Sequence, residues 1–399
     1  MESKIFTHID TATQPHVDGP MAGTSVAVDA NISVASWPTT AHSLALENYV
    51  ALEDATLIQR LCNAGATLKG RTAMAELGLG LGKDTWAEAL NKKLSQVVLK
   101  TDTTGEARMA AAIAGCFGFK PSYGLISRSG MICLVPSMES CGILSNSIAT
   151  ITLAAQAMAG LDEKDPTMDP SVMEQVMYEF NHPQEFLDTP ITLGVIKEMA
   201  PADTQGFEQA LDKFGKADLK IREISVKDFP LATTVHNVIG SVEASSSAGR
   251  FDSVRYGHRT STAAKNWNDM YIQSRGESFG PLVKAYLFQG GYFQYHNYNA
   301  FLDACRTRAR LIKYVEKAFE TVDLILLPVS ANPEPTPAKP ATVSDLYDTF
   351  SLTVLANLTG NPAIAIPGTP ALQLMGKRFG DARLLALAAR VSDIHTGEM

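Results

Sequence analysis

The stretch Leu99–Gly130, LKTDTTGEARMAAAIAGCFGFKPSYGLISRSG, decides the reading of this chain. A polar turn containing Gly105 runs straight into a helix of small residues, and a tight Lys120–Gly124 turn follows. Loops of this kind hold nucleophiles and aim backbone N–H groups at a substrate. Directly after Gly105, however, where a hydroxyl is expected, stands Glu106. In the helix that starts there, Met109, Ala112, Ile113 and Cys116 fall at helical spacing and are expected to pack against a sheet.

The surrounding sequence reads as strands alternating with helices. TSVAVDANISVAS is a short buried strand, a turn and another extended piece. DATLIQRLCNAGATLKGRT is a helix with Asp54 as N-cap candidate and Leu57, Ile58, Leu61 and Cys62 on one face; it stops at Gly65 before a strand. WAEALNKKLSQVVLKTD repeats the helix-to-strand pattern, and SNSIATITLAAQAMAG is a helix capped by Asn146 or Ser147. LDEKDPTMDP is a polar loop broken by proline. The pattern resumes with the strand ITLGVIKE, the amphipathic helix DTQGFEQALDKFGKA and the strand DLKIREISV. A helical region follows from about Gly280 to Phe319. VDLILLPVSANPEPTPAKPAT is a strand entering a proline-rich loop, FSLTVLANLTGNPAIAIPG is a helix, a turn and a strand, and PALQLMGKRFGDARLLALAARV is a strand followed by a closing helix. This order predicts one α/β domain over residues 1–399, with a single large mixed β-sheet covered on both faces by helices.

Composition narrows the function. Of 399 residues, 45% are hydrophobic and 19% charged, enough to bury a large core. A net charge of −8 with no basic stripe argues against a nucleic-acid surface. No segment has the roughly 20 apolar residues of a membrane span, and MESKIFTHIDTATQPHV lacks the pattern of a secretory signal. The five scattered cysteines fit buried thiols in a reducing compartment, cytoplasmic or an organellar matrix. With no metal-ligand spacing, neither a metal nor another cofactor is expected.

Five stretches resemble the amidase signature family, and within it the A subunits of tRNA-dependent amidotransferases. They are DTTGEARMAAAIAGCFGFKPSYGLISRSG, PSMESCGILSNSIATITLAAQAMAGLDEKDPT, EASSSAGRFDSVRYGHRT, ANLTGNPAIAIPG and LQLMGKRFGDARLLALA. They occur in the family's order across most of the chain. The resemblance implies a twisted mixed sheet between helices and an amidase activity built on a serine nucleophile, a bridging serine and a neutral lysine base. It also implies an oxyanion hole of backbone N–H groups, here the Thr103, Thr104 and Gly105 remnant.

On that resemblance the triad is replaced. The nucleophile motif Asp-Thr-Gly-Gly-Ser reads Asp102-Thr103-Thr104-Gly105-Glu106, so Glu106 takes the serine's place. The base motif GIPIAVKDN reads GTSVAVDAN, so Asp29 takes the lysine's place. The Gly/Ser loop with the bridging serine shrinks to LGLGLGKDTW, and the N-terminal region is shortened. The implied role is a non-catalytic binding, scaffold or regulatory subunit, with the B and C subunits of an amidotransferase-like complex as partners. Two alternatives stay open: an active amidase or glutaminase subunit, and a ligand-binding module with an acidic pocket. Ser95, Ser122, Ser127, Ser137 and Cys116 read as structural, His258 as a surface histidine, and Lys120 as part of its turn. Two close carboxylates would need a raised pKa, a cation such as Lys83 or Arg108, or a cationic ligand. The expectation is instead that the shortened loop lets the pocket collapse and leaves Asp29 and Glu106 in water.

Overall fold

The computed structural model describes residues 5–10, 18–83, 85–186, 190–200, 206–217, 219–332, 335 and 340–396. Parts of the N-terminal reading, the start of DTQGFEQALDKFGKA and most of the proline-rich loop lie outside them. Eleven strands form one sheet: β1 His8–Ile9, β2 Ser25–Asp29, β3 Thr67–Thr72, β4 Val97–Asp102, β5 Phe117–Lys120, β6 Ser140–Ser145, β7 Thr192–Ile196, β8 Lys220–Ile224, β9 Leu324–Pro328, β10 Ala363–Ile366 and β11 Leu372–Met375. Their order across the sheet is β1-β3-β2-β4-β6-β5-β10-β11-β9-β7-β8. The sheet is mixed: β2 runs parallel to β3 and β4, β7 runs parallel to β8 and β9, and antiparallel pairs join these groups.

The helices flank this sheet. They are α1 Thr56–Asn63, α2 Thr85–Asn91, α3 Glu106–Ala114, α4 Ile148–Met158, α5 Pro170–Asn181, α6 Phe207–Lys216, α7 Ala232–Ser247, α8 Trp267–Ser278, α9 Pro281–Tyr295, α10 Tyr298–Ala318, α11 Val343–Thr349, α12 Val354–Thr359 and α13 Asp381–Thr396. Each expected strand from ITLGVIKE onward is present, and the region from Gly280 to Phe319 divides into α9 and α10. Ser147 is the N-cap of α4, its side chain accepting from the Thr150 N–H. Asp54 is not the N-cap of α1. Ala55 holds that place, and the Asp54 carboxylate accepts from the Ala35 N–H, which pins a neighbouring loop.

Helix α3 lies directly on the sheet because both surfaces are shaved to glycine and alanine. A Cβ on Gly142 of β6 would collide with the Ala107 side chain, and one on Gly118 of β5 would collide with the Ala111 side chain. This contact turns α3 relative to the expected face. Ala107, Met109, Ala110 and Ala111 are buried, whereas Ala112 and Ile113 are only partly so. Cys116 is buried as expected, and burial pushes its thiol up to about 12.

Gly142→Ala is therefore expected to lower the free energy of unfolding by about 1–3 kcal/mol, because an added methyl group has no space at the α3–sheet contact. Gly276→Ala, where a Cβ meets nothing in the interior of α8, is expected to raise it by up to about 1 kcal/mol. Denaturant melts of the two variants check both signs.

Candidate functional site

Strand β4 delivers the site. Its last residue, Asp102, is followed by the Thr103–Gly105 turn and then by the first residue of α3, Glu106. Gly105 has φ +126°, a conformation L side chains rarely adopt, and a Cβ there would collide with Thr353. Thr353 locks the turn from the other side, its hydroxyl donating to the Thr104 carbonyl at 2.6 Å.

The turn closes on the side chain that follows it. One oxygen of Glu106, Oε2, accepts the N–H groups of Thr103 at 2.7 Å, Thr104 at 2.8 Å and Gly105 at 3.1 Å. The other, Oε1, accepts the Thr104 hydroxyl at 2.6 Å and the Gly80 N–H at 3.4 Å. Gly80 belongs to the LGLGLG remnant. There Gly78, Gly80 and Gly82 all have positive φ, and Leu77, Leu79 and Leu81 are buried.

The short loop therefore folds over the turn instead of leaving it open. Glu106 and Asp29 are each 1% exposed, so the expectation that both carboxylates reach water is corrected. Burial pushes the Glu106 carboxyl up, and the Asp102 charge adds to that, while the Thr104 and Thr103 donors pull it back.

Asp29 is satisfied separately. Its carboxylate meets the Lys100 ammonium at 3.4 Å and accepts from the Thr101 N–H at 3.3 Å and the Thr72 hydroxyl at 3.0 Å. The cation beside the expected acid is thus Lys100, which the sequence reading did not single out, and not Lys83 or Arg108. Lys83 is exposed. Arg108 is fully buried and pairs with Asp102 at 3.0 Å, and it also donates to Gln373 and the Thr353 carbonyl at 2.8 Å. Burial alone would push the Asp102 carboxyl up, but Arg108, Lys120 and a hydrogen bond from Asn357 hold it below its ordinary value.

Two further buried groups were not singled out in the sequence. His236 of α7 is fully buried, and burial pushes its imidazole down to about 4. Its Nε2 lies 2.9 Å from the Thr103 carbonyl, which can only accept, so Nε2 carries the proton. Nδ1 then accepts from Tyr347, whose hydroxyl lies 2.8 Å from that of Tyr286. Glu139 is fully buried, with Oε2 on the Leu134 and Val135 N–H groups. Burial raises its carboxyl to about 7, with the Glu106 charge a lesser contribution.

The remaining candidates have structural partners. Ser122 donates to Asp381, Ser127 to Asp162, Ser137 to Glu243 and Ser95 to the Val97 carbonyl. His258 pairs with Glu277 away from the turn. Lys120 is fully buried, its ammonium donates to the Pro121 carbonyl at 2.7 Å, and burial depresses it to about 7 despite Asp102. A surface cavity of about 440 Å³ beside Arg378 and Arg383 includes neither Asp29 nor Glu106. Among the described residues, no group of His, Cys, Asp and Glu is placed to hold a metal, and no helix is long and apolar enough to cross a membrane.

The amidase family model matches residues 4–85 and 87–385. The chain belongs to the amidase family. It is 31% identical over 409 residues to the A subunit of glutamyl-tRNA(Gln) amidotransferase from Natronomonas pharaonis, covering 93% of this chain and 96% of that one. Against the corresponding A subunit from Methylobacillus flagellatus it is 31% identical over 433 residues, covering 95% and 85%. The crystal structure of the Thermotoga maritima A subunit superposes with a TM-score of 0.75 at 20% identity, covering 98% of this chain and 87% of that one. The structure of 6-aminohexanoate cyclic dimer hydrolase complexed with substrate gives a TM-score of 0.76 at 17% identity, covering 98% of this chain and 90% of that one. At these identities the structural likeness establishes the fold.

Two outcomes follow from the buried charges. Lys100→Met is expected to destabilise the fold by about 3–5 kcal/mol, because Asp29 is left buried without its cation, and Lys100→Met with Asp29→Leu is expected to recover part of that loss in denaturant melts. Glu139 holds its proton more tightly in the folded state than in the unfolded chain. Its contribution to stability is therefore full below pH 4.5 and is lost as pH rises toward about 7. Glu139→Gln mimics the protonated acid, so its stability relative to the parent should climb by about 1.4 kcal/mol per pH unit across that window. Equal pH profiles for parent and variant would contradict the assignment.

Proposed function

We propose that this amidase-family chain is non-catalytic and serves in an amidotransferase-like assembly as a binding, scaffold or regulatory component, with subunits of the B and C type as its partners. The observation that carries the reading is the seat of Glu106. At the place the family resemblance gives to the nucleophilic serine, a carboxylate occupies the N–H groups of Thr103, Thr104 and Gly105. A substrate carbonyl needs those donors as its oxygen becomes negative.

The other triad positions agree. A base must be a neutral amine, whereas Asp29 is an acid tied to Lys100. The resemblance gives the bridging serine to the loop that here reads LGLGLGKDTW, which contains no serine and whose Gly80 gives Glu106 a backbone N–H. The names of the relatives, each an amidotransferase subunit, support placement in a multi-subunit assembly.

The purified chain should release no ammonia from glutamine or from simple amides above the buffer rate, alone or with B- and C-type subunits added. Glu106→Ser should not restore hydrolysis, because the position the resemblance gives to the neutral lysine base is held by the carboxylate Asp29, paired with Lys100. Turnover that is abolished by Glu106→Ala, or a covalent adduct of an amidase-directed probe with the serine introduced by Glu106→Ser, would overturn the proposal in favour of a working amidase or glutaminase subunit.

A further inference from the structure

Helix α9 has one face tied to the fold and one that is bare. On the inner face Val283, Tyr286 and Gly290 are buried, a Cβ on Gly290 would collide with the Ser241 carbonyl of α7, and the Tyr286 hydroxyl meets that of Tyr347 at 2.8 Å. The exposed positions are Pro281, Ala285, Phe288, Tyr292 and Tyr295. Their spacing alternates four and three residues, so they form one stripe opposite the buried face. A helix face in water ordinarily carries charged and polar residues, and this one carries no charge. Phe288 is 77% exposed, Tyr292 52% and Tyr295 83%. Ile272 of α8, 67% exposed, lines with Phe288 a shallow hollow of about 290 Å³ that also includes Lys284 and Leu287.

We infer that this stripe is the contact surface of a homodimer, in which α9 packs antiparallel on α9 of a second copy across a twofold axis through Phe288. The stripe is self-complementary about that residue. A twofold there sets the small residues of the N-terminal half against the large ones of the C-terminal half, Pro281 opposite Tyr295 and Ala285 opposite Tyr292. Each pair then occurs twice, as an isologous interface requires, and small faces large in each layer. The charges agree. Lys284 is the one charged residue of α9, and it falls level with Tyr292 of the second copy, whose ring face attracts an ammonium. The two Lys284 lie about 12 Å apart along the paired axes, so salt screens their repulsion. The area also suits a second copy. At roughly 200 Å² for a large side chain, Ile272, Phe288, Tyr292 and Tyr295 expose roughly 500–600 Å² per copy. A standard interface covers about 800 Å² per partner, and Pro281, Ala285 and the stem of Lys284 lie at the rim to supply more. Because α7 already holds α9 in place, little ordering is needed on contact.

Sedimentation equilibrium of the full chain tests the surface. The parent should dimerise, and Phe288→Asp should weaken the dimer by about a hundredfold or more, since two carboxylates would meet on the axis. Phe288 is exposed, so the variant should keep the circular dichroism spectrum of the parent. Cysteine cross-linking with a short bismaleimide tests the geometry, each yield being read above that of the parent, which has five cysteines of its own. Phe288→Cys should cross-link to itself. Tyr295→Cys should not, because its two copies stand about 21 Å apart along the axes, whereas a mixture of Pro281→Cys and Tyr295→Cys should. A parent that stays monomeric at its highest soluble concentration, a Phe288→Asp variant as dimeric as the parent, or Tyr295→Cys that cross-links to itself as fast as Phe288→Cys overturns the inference. A monomeric parent that binds a C-type subunit, with binding lost in Phe288→Asp, overturns it as well and gives the stripe to that subunit. None of these readouts involves ammonia release, so the dimer and the non-catalytic reading stand or fall separately.

Discussion

The seat of the Glu106 carboxylate on the Thr103, Thr104 and Gly105 N–H groups is the constraint around which the rest of the site is arranged. A buried acid is tolerated only when its lone pairs are satisfied, and here backbone donors supply most of that satisfaction. The same contact fixes the start of α3, whose positive dipole end lies at the acid. Helix α3 can then lie flat on the sheet only because Gly118 and Gly142 leave room for its alanines. The LGLGLG loop completes the enclosure by laying its leucines into the core and one N–H onto the carboxylate.

Around this seat the charges are balanced in pairs. Asp29 has Lys100 from the neighbouring strand, which lies beside it in the sheet. Asp102 has Arg108 further along the same turn and helix, with Asn357 and Gln373 filling the remaining hydrogen bonds. Such pairs add little net stability over apolar replacements, but each partner makes the other indispensable. An amide-cleaving site of this family needs a neutral amine, a free hydroxyl and open donors. Under the proposed reading, the position the resemblance gives to the amine is held by the paired Asp29, the position it gives to the hydroxyl is held by the seated Glu106, and the donors are taken. The two carboxylates are instead satisfied separately, each by its own partners inside the fold.

Much of the fold was legible because its signals are local. The strands VVLKT and ITLGVIKE are short apolar runs, and helix α6 carries a clear apolar face in FEQALDKF. Ser147 caps α4 through a side chain that sequence alone can nominate. Helix α7 was not legible. Its sequence, ATTVHNVIGSVEASSS, is rich in β-branched residues and serine, and because it is buried on many sides no stripe distinguishes a face. His236 was lost with it, and so was the chain of hydrogen bonds from Thr103 to Tyr286. Asp29 and Glu106 were found through family motifs, but their surroundings were not. Lys100 lies 71 residues from Asp29, and nothing in the order of residues announces that β2 and β4 are neighbours. Ala112 and Ile113 show a related limit: periodicity gives a helix, but glycine on a distant strand decides which face goes in.

Amide-proton NMR of Thr103, Thr104 and Gly105, followed through a pH titration of the intact chain, tests the central claim most directly. If the Glu106 carboxylate is seated on these groups, the three signals lie together far downfield at neutral pH. They then move upfield in concert as the acid is protonated, with one shared midpoint above the ordinary glutamate range, because burial and the Asp102 charge raise it. In Glu106→Gln the shared transition disappears. Three amide signals at ordinary positions, unmoved by pH and unchanged in Glu106→Gln, would show that the turn is open and contradict the account.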